Sequence, residues 1–284
     1  MRPTPPALVA AAAVAAGLAL SLAAPASAVH EEVQVTGLTQ SGRLVTFAAG
    51  DPGTILSTVR VTGLGGDLVG IDYRPLTDQL YGVVRGAGGA GSIVVIDDTT
   101  GQVLSSTALR GVDGAPVVLA GGSFGVDVNP AADALRIVSD SGQNLRVLLS
   151  DRAAGALGTT FVDGTITPAG SAVVGAAYTG SDTDPATGTA LYDLSAAGDS
   201  LVLQDPPNAG ALKPVGPLGR AVGEKAGFDI YTEGTTNIAL VSLVDRGRAT
   251  LSVVDLATGA VNPASTMEIG TRPAVVDIAV PTDQ

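Results

Sequence analysis

One short pattern returns along this chain at nearly even intervals. Gly70-Ile71-Asp72-Tyr73-Arg74-Pro75 is followed by Gly125-Val126-Asp127-Val128-Asn129-Pro130, by Gly227-Phe228-Asp229-Ile230 and by Val276-Asp277-Ile278-Ala279-Val280-Pro281. A degenerate copy, Val174-Gly175-Ala176-Ala177-Tyr178, falls in the gap. With Asp72, Asp127, Ala177, Asp229 and Asp277 taken as equivalent, the step is roughly fifty residues, the scale on which a propeller repeats its blades. Few other folds accept five apolar strands so regularly spaced, four of them followed by further short strands.

The segments between the copies fill out the blades. After the first copy, Leu80 to Val84, Ile93 to Ile96 and Val103 to Thr107 read as strands, separated by turn residues. The second unit has Leu135 to Ser139, Leu145 to Leu149 and a weaker strand at Thr159 to Val162. The third has Thr189 to Tyr192, Ser200 to Leu203 and Lys213 to Val215. The fourth has Asn237 to Leu243, Thr250 to Val254 and Val261 to Glu268. Before the first copy lie about three strands without an inner strand, and the last copy is an inner strand without partners. Each deficit fills the other if the C-terminal strand joins the N-terminal three, which also removes two free sheet edges. The expected fold is therefore all-β: a five-bladed β-propeller of four-stranded antiparallel blades, closed by that shared blade. Six smaller blades fit the spacing less well. Asp97 to Gly101, Asp184 to Gly188 and Asp255 to Gly259 read as hairpin turns, in which Asp accepts from a nearby backbone N–H and Gly takes a positive φ.

Residues 1–28 read as a signal peptide. Arg2 precedes an alanine-rich apolar run from Ala7 to Ala24, Pro25 breaks it, and Ala26-Ser27-Ala28 is a small-x-small cleavage site. A retained membrane helix is the alternative, but His30-Glu31-Glu32 supplies no basic flank. Residues 29–284 then form a single propeller domain that is secreted, with no membrane association after cleavage. The chain has no cysteine, so disulfides, thiolate metal sites and a lipid-bearing cysteine are all absent. Its formal net charge is −12, with acids spread along the chain. Such a surface repels phosphate backbones, so nucleic acid is not an expected partner.

The residue inventory restricts the chemistry. The one histidine, His30, lies at the expected mature terminus, which removes a Ser-His-Asp triad and a histidine zinc site. Without tryptophan, and with few aromatics, a sugar-stacking lectin site is disfavoured. Carboxylates remain. A pair can hydrolyse a glycosidic bond, and carboxylates with carbonyls can hold Ca²⁺. Asp72, Asp127, Asp229 and Asp277 could form a ring of metal ligands around the channel. The competing expectation is that each accepts hydrogen bonds from backbone N–H groups of a neighbouring blade, since buried polar groups are satisfied. Asp182-Thr183-Asp184 resembles the start of a calcium loop without its later ligands and reads as a turn.

Two decorated segments stand apart from the repeat. Leu135 to Arg146 gathers Arg136, Asp140, Gln143, Asn144 and Arg146 around one hairpin. Leu203 to Gly210 carries Asp205 and Asn208 beside Pro206 and Pro207. Guanidinium and amide groups of this kind can hold a polar ligand or lock a hairpin internally. These seven residues are the candidate ligand-binding set; no catalytic residue is nominated.

The sequence is similar to the bacterial family described as domain of unknown function 4394. The resemblance rests on Leu38-Thr39-Gln40-Ser41-Gly42-Arg43-Leu44, on the first two repeat copies, and on Leu135 to Arg146 and Leu203 to Gly210. It spans essentially the mature chain and implies an exported, propeller-like domain, with no activity or cofactor to carry over. The functional expectation is a monomeric binding or interaction module for an extracellular ligand or protein, without a required cofactor. A carboxylate hydrolase acting on sugars or phosphate esters, with or without calcium, is the alternative, and a structural envelope protein is a third.

Overall fold

The structure, a computed structural model, describes Met1 and residues 32–150, 156–182, 184 and 186–282. The signal-peptide segment and Thr183 of the calcium-like loop lie outside the described residues, apart from Met1. Among the described residues no helix is long and apolar enough to cross a membrane.

The chain builds five antiparallel blades around a channel. It begins with β1 (Gln34–Thr39), β2 (Arg43–Ala48) and β3 (Asp51–Arg60). The first complete blade is β4 (Gly66–Arg74), β5 (Gln79–Gly86), β6 (Gly91–Ile96) and β7 (Val103–Ala108). After the two-residue strand β8 (Arg110–Gly111) comes the second blade: β9 (Phe124–Asn129), β10 (Ala134–Ser139), β11 (Asn144–Leu148) and β12 (Thr159–Val162). The third is β13 (Val173–Tyr178), β14 (Leu191–Ser195), β15 (Ser200–Gln204) and β16 (Leu212–Pro217). The fourth is β17 (Ala226–Glu233), β18 (Thr236–Asp245), β19 (Arg248–Val254) and β20 (Met267–Glu268). The last strand, β21 (Val275–Ala279), pairs antiparallel with β1 and completes a blade in the order β21-β1-β2-β3.

The expected blade count and closure are thus present, with local differences. β8 adds parallel to the edge of β12, so the second blade gains a fifth short strand. The outer strand expected over Val261 to Glu268 is cut down to β20. A 3₁₀ turn occupies Pro263–Ser265, where proline offers no N–H to a ladder and the Asn262 side chain accepts from Ala264 N. In the third blade the second strand runs later than the expected Thr189 to Tyr192, ending at Ser195.

Packing lies between blades rather than within them. Period-two alternation sends one face of each strand to the preceding blade and the other to the following one. On β10, Leu135 and Ile137 pack with Tyr81, Val83 and Ile93 of the first blade. The intervening Arg136 and Val138 face the third blade. The closing blade and the fourth share Val35, Phe47, Leu240, Val253, Val275 and Ile278. The interface of the second and third blades is smaller, with Val138, Ile166, Val173, Ala176, Tyr178 and Leu191, and a polar network fills the remainder.

The turns at Asp97 to Gly101 and Asp255 to Gly259 form as expected and also dock blades together, while Pro185 of the third expected turn lies outside the described residues. Asp97 Oδ1 accepts from Thr99 N and Thr100 N, and Asp255 Oδ1 accepts from Ala257 N and Thr258 N. Gly101 has φ +74° and lies so near Arg60 of β3 that an added Cβ would sit 2.3 Å from its carbonyl oxygen. Only glycine meets both demands at once.

Closure makes the last strand essential. Removing Ala274 to Gln284 exposes the buried faces of β1, β4 and β17. The truncated chain is expected to lose its cooperative thermal transition by circular dichroism, whereas a melt like that of the full protein would show that the ring tolerates opening.

Candidate functional site

The channel is organised by the register of the five inner strands. Asp72, Asp127, Ala177 and Asp229 lie opposite Tyr81, Arg136, Tyr192 and Leu240 of their second strands. Asp72 Oδ2 accepts from Val128 N at 2.7 Å, Asp127 Oδ1 from Tyr178 N at 3.0 Å and Asp229 Oδ2 from Val280 N at 2.6 Å. The donor in the first two bonds follows Asp127 and Ala177, the matching positions of the next inner strand. By the same rule the matching residue in β21 is Ala279, not Asp277. The bond between the Thr36 and Tyr73 hydroxyls agrees, because Thr36 pairs with Ala279 and repeats the contact of Arg136 with the Tyr178 hydroxyl.

This corrects the equivalence taken from sequence. Asp277 stands two residues early, where the other inner strands have Gly70, Gly125, Gly175 and Gly227. Those glycines permit close approach of the next strand: a Cβ on Gly125 would lie 2.5 Å from Ala176 N, and one on Gly227 2.7 Å from Asp277 Cα. Asp277 puts a carboxylate in that place, and its Oδ2 accepts from Ile71 N at 2.8 Å. The letter Asp matched while the strand position did not.

Asp72, Asp127 and Asp229 therefore converge alone. One oxygen from each lies within 4.8 Å of the others, and all three residues are buried. They are the described residues placed to share a cation, and Asp277 is outside the cluster. The void beside them is only ≈ 10 Å³, between Asp72, Asp127 and Asp229 and the mouth residues Pro75, Pro130 and Thr282. That is about the space of one water molecule, too little for a substrate. Burial raises the Asp72 and Asp127 carboxyls well above the ordinary range, and the neighbouring charges add to it: Asp229 on Asp72, and Asp72 and Asp229 on Asp127. Asp229 is raised to about 6 by burial, opposed by the N–H groups of Val280 and Ile230. Asp277 is raised well above its usual value, again chiefly by burial.

At the other end the channel opens into a funnel of ≈ 780 Å³. Val69, Phe124, Val174, Ala226 and Val276 form its floor, one from each inner strand and each three residues before the positions aligned above. The walls carry Arg60, Asp67, Arg85, Glu224 and Lys225. Arg85 Nη1 donates to Gly121 O at 2.9 Å, and Lys225 Nζ donates to Gly122 O at 3.1 Å.

The seven candidate ligand-binding residues divide between two places. Asp140 and Gln143 lie beneath the funnel rim, on the β10–β11 turn. Asp140 Oδ1 accepts from Gly122 N, while Gln143 accepts from Ala120 N and donates to Val118 O, so both shape the loop that enters β9. Arg136, Asn144, Arg146 and Asn208 join a network between the second and third blades. The almost fully buried Arg136 donates to Asn144 Oδ1, Asp163 Oδ2 and Asn208 Oδ1, each at 2.8 Å, and to the Tyr178 hydroxyl at 3.2 Å. Asn144 Nδ2 donates to the Gly164 and Pro207 carbonyls, and Arg146 lies over the Phe161 ring while bonding Asp163. Asp205 is elsewhere, paired on the surface with Lys213.

The sequence reading missed Asp163, Asp193, Gln204 and the charged funnel wall. Asp67 and Glu224 each precede the Asp of their inner strand by five residues, so reading each copy backward would have found them. Asp193 had no such signal. It is completely buried, neither oxygen has a hydrogen-bond partner among the described residues, and burial raises its carboxyl well above the usual range.

Five short antiparallel blades around a channel, with the last strand completing the blade of β1 to β3, define a five-bladed β-propeller. The chain belongs to the family described as "Domain of unknown function (DUF4394)", whose model matches residues 43–279. No curated protein matches the sequence. Among solved structures it is similar to TolB from Acinetobacter baumannii, at 12% identity and TM-score 0.47, over 88% of this chain and 67% of that one. It is also similar to an auxiliary nutrient binding protein from Bacteroides thetaiotaomicron VPI-5482, at 15% identity and TM-score 0.40. That match covers 86% of this chain and 51% of the other, about half its length.

The raised carboxyls set a pH dependence. The native state holds protons that unfolded aspartates have released. Their contribution is fullest below the unfolded pKa, near pH 4, and is lost as pH rises through the folded values, about 6 for Asp229. The melting temperature is expected to fall between pH 4.5 and 7.5. Asp127→Asn keeps an acceptor for Tyr178 N and removes one charge. It should melt higher than the parent at pH 7.5 and no higher near pH 4, as scanning calorimetry would record. In the interblade network, Arg136→Leu removes the buried donor of Asn208 and leaves Asp163 with only Arg146 among the described residues. It is expected to cost about 3–5 kcal/mol in urea unfolding, with Arg136→Lys restoring only part.

Proposed function

We propose that this propeller is an exported, monomeric binding module whose small-molecule ligand occupies the funnel at the mouth of its channel. The observation that carries this reading is the ≈ 780 Å³ cavity, with an apolar floor drawn from all five inner strands and charged residues on its walls. Ligand clefts typically measure about 300–1,000 Å³ and combine an apolar lining with a few polar groups. A rigid ring suits such a role, because residues on the inner strands are held in place before a ligand arrives.

A carboxylate hydrolase fits the geometry less well. The carboxylates that converge lie in the narrow part of the channel, and each has an oxygen engaged by a backbone N–H of the adjoining blade. Substrate hydrolysis needs both groups to face an open space large enough for the scissile bond.

Thr62 is exposed on the funnel rim, so Thr62→Trp narrows the entrance without touching the core. A thermal-shift screen of small polar compounds is expected to find a ligand that raises the melting temperature of the parent by roughly 5–10 °C at a hundredfold excess over Kd. The Thr62→Trp variant should lose that shift. Equal shifts in both proteins, or none in the parent up to millimolar concentrations, would remove the funnel as the binding site.

A further inference from the structure

We infer that the funnel ligand is a zwitterion with an apolar body, of the class of apolar amino acids and short apolar peptides with free termini. This rests on the funnel being the binding site. Its first support is the pairing state of the wall residues. Arg60, Asp67 and Glu224 make no side-chain hydrogen bond or ion pair with any described residue. Arg85 and Lys225 each donate to a single carbonyl and keep further N–H donors. Charges of both signs therefore line one cavity without forming ion pairs with one another. Some charges outside the funnel do pair, as in Arg74 with Asp133 and Arg248 with Glu268.

The second support is the floor. Val69, Phe124, Val174, Ala226 and Val276 lie below the charged wall, and no carboxylate of the buried cluster lines the funnel. A ligand seated there meets an apolar surface at its base and both kinds of charge around its upper part. A simple anion would face Asp67 and Glu224 in a protein of net charge −12, and a simple cation would face Arg60, Arg85 and Lys225. A zwitterion satisfies both sets: its carboxylate accepts from guanidinium and ammonium groups, and its ammonium donates to the two acids. An apolar side chain on that ligand covers the floor.

Isothermal titration of the mature chain with the dipeptide Leu-Phe, its N-acetyl derivative and its C-terminal amide tests this. The parent dipeptide is expected to bind, with each blocked form at least tenfold weaker. Glu224→Gln should weaken the parent dipeptide while leaving the N-acetyl form unchanged, and Arg60→Gln should weaken the parent while leaving the amide unchanged. Thr62→Trp should abolish binding. If a blocked form binds as well as the parent, and Thr62→Trp still abolishes it, the funnel stands and the zwitterion is wrong. If no form binds while the thermal-shift screen yields a compound sensitive to Thr62→Trp, the zwitterion is again wrong and the funnel stands. Binding insensitive to Thr62→Trp would overturn both.

Discussion

Everything in this ring depends on how inner strands satisfy their unpaired edges. The innermost strand of a blade has a ladder partner on one side only, and the other edge faces the channel and the adjoining blade. Backbone N–H groups at that depth need acceptors, because leaving one buried and unmet costs about 1–3 kcal/mol. Asp72, Asp127, Asp229 and Asp277 supply them across the interfaces. Each bond reaches from one blade to the next, so the same contacts that satisfy the backbone also set the relative height of neighbouring blades. The cost is electrostatic: three of these carboxylates lie close together under cover, and protonation relieves part of their repulsion. Ala177 and Ala279 at the two remaining positions keep that cost from growing to a full ring of five acids.

Much of the fold was legible because it follows from local chemistry repeated in order. The inner strands announce themselves as Gly-x-Asp, the hairpins as Asp-x-x-x-Gly, and the closing blade as a mismatch between strands present and strands needed. What failed did so where letters and positions part company. Asp277 looks like another repeat aspartate, yet it occupies the position that glycine holds in the other inner strands, and the shift shows only in space, in the bond from Val280 N to Asp229 and the pairing of β21 with β1. The decorated hairpin was correctly seen as unusual. Its residues could not be apportioned from sequence, because Arg136 meets Asn208 across 72 positions of chain while Asp140, four residues from Arg136, serves a different loop. The funnel was hidden for a related reason: its wall collects single charged residues from segments far apart in sequence.

The five interfaces are not alike. Four are built mainly from apolar side chains, such as Phe47 with Leu240 and Ile137 with Tyr81. Between the second and third blades, Arg136, Asn144, Asp163 and Asn208 take up much of the contact, with Asp193 and Gln204 buried on the third blade. A network of this kind demands fixed geometry, since every donor must find its acceptor, whereas an apolar interface tolerates small slips. The ring thus contains one joint whose alignment is specified by hydrogen bonds and others held chiefly by burial.

The pairing of β21 with β1 has a topological consequence. Thr36 lies opposite Ala279, so the first and last strands of the ring are neighbours within one sheet. The arrangement of blades consequently has no privileged starting point in space. The exposed turn at Asp113 and Gly114, between the first and second blades, could bear the chain ends instead, with a linker joining β21 to β1, and every strand would keep its partners. Such a circular permutant would move the chain ends away from the closing blade, whose β1–β2 turn and β3–β4 connection form one side of the funnel.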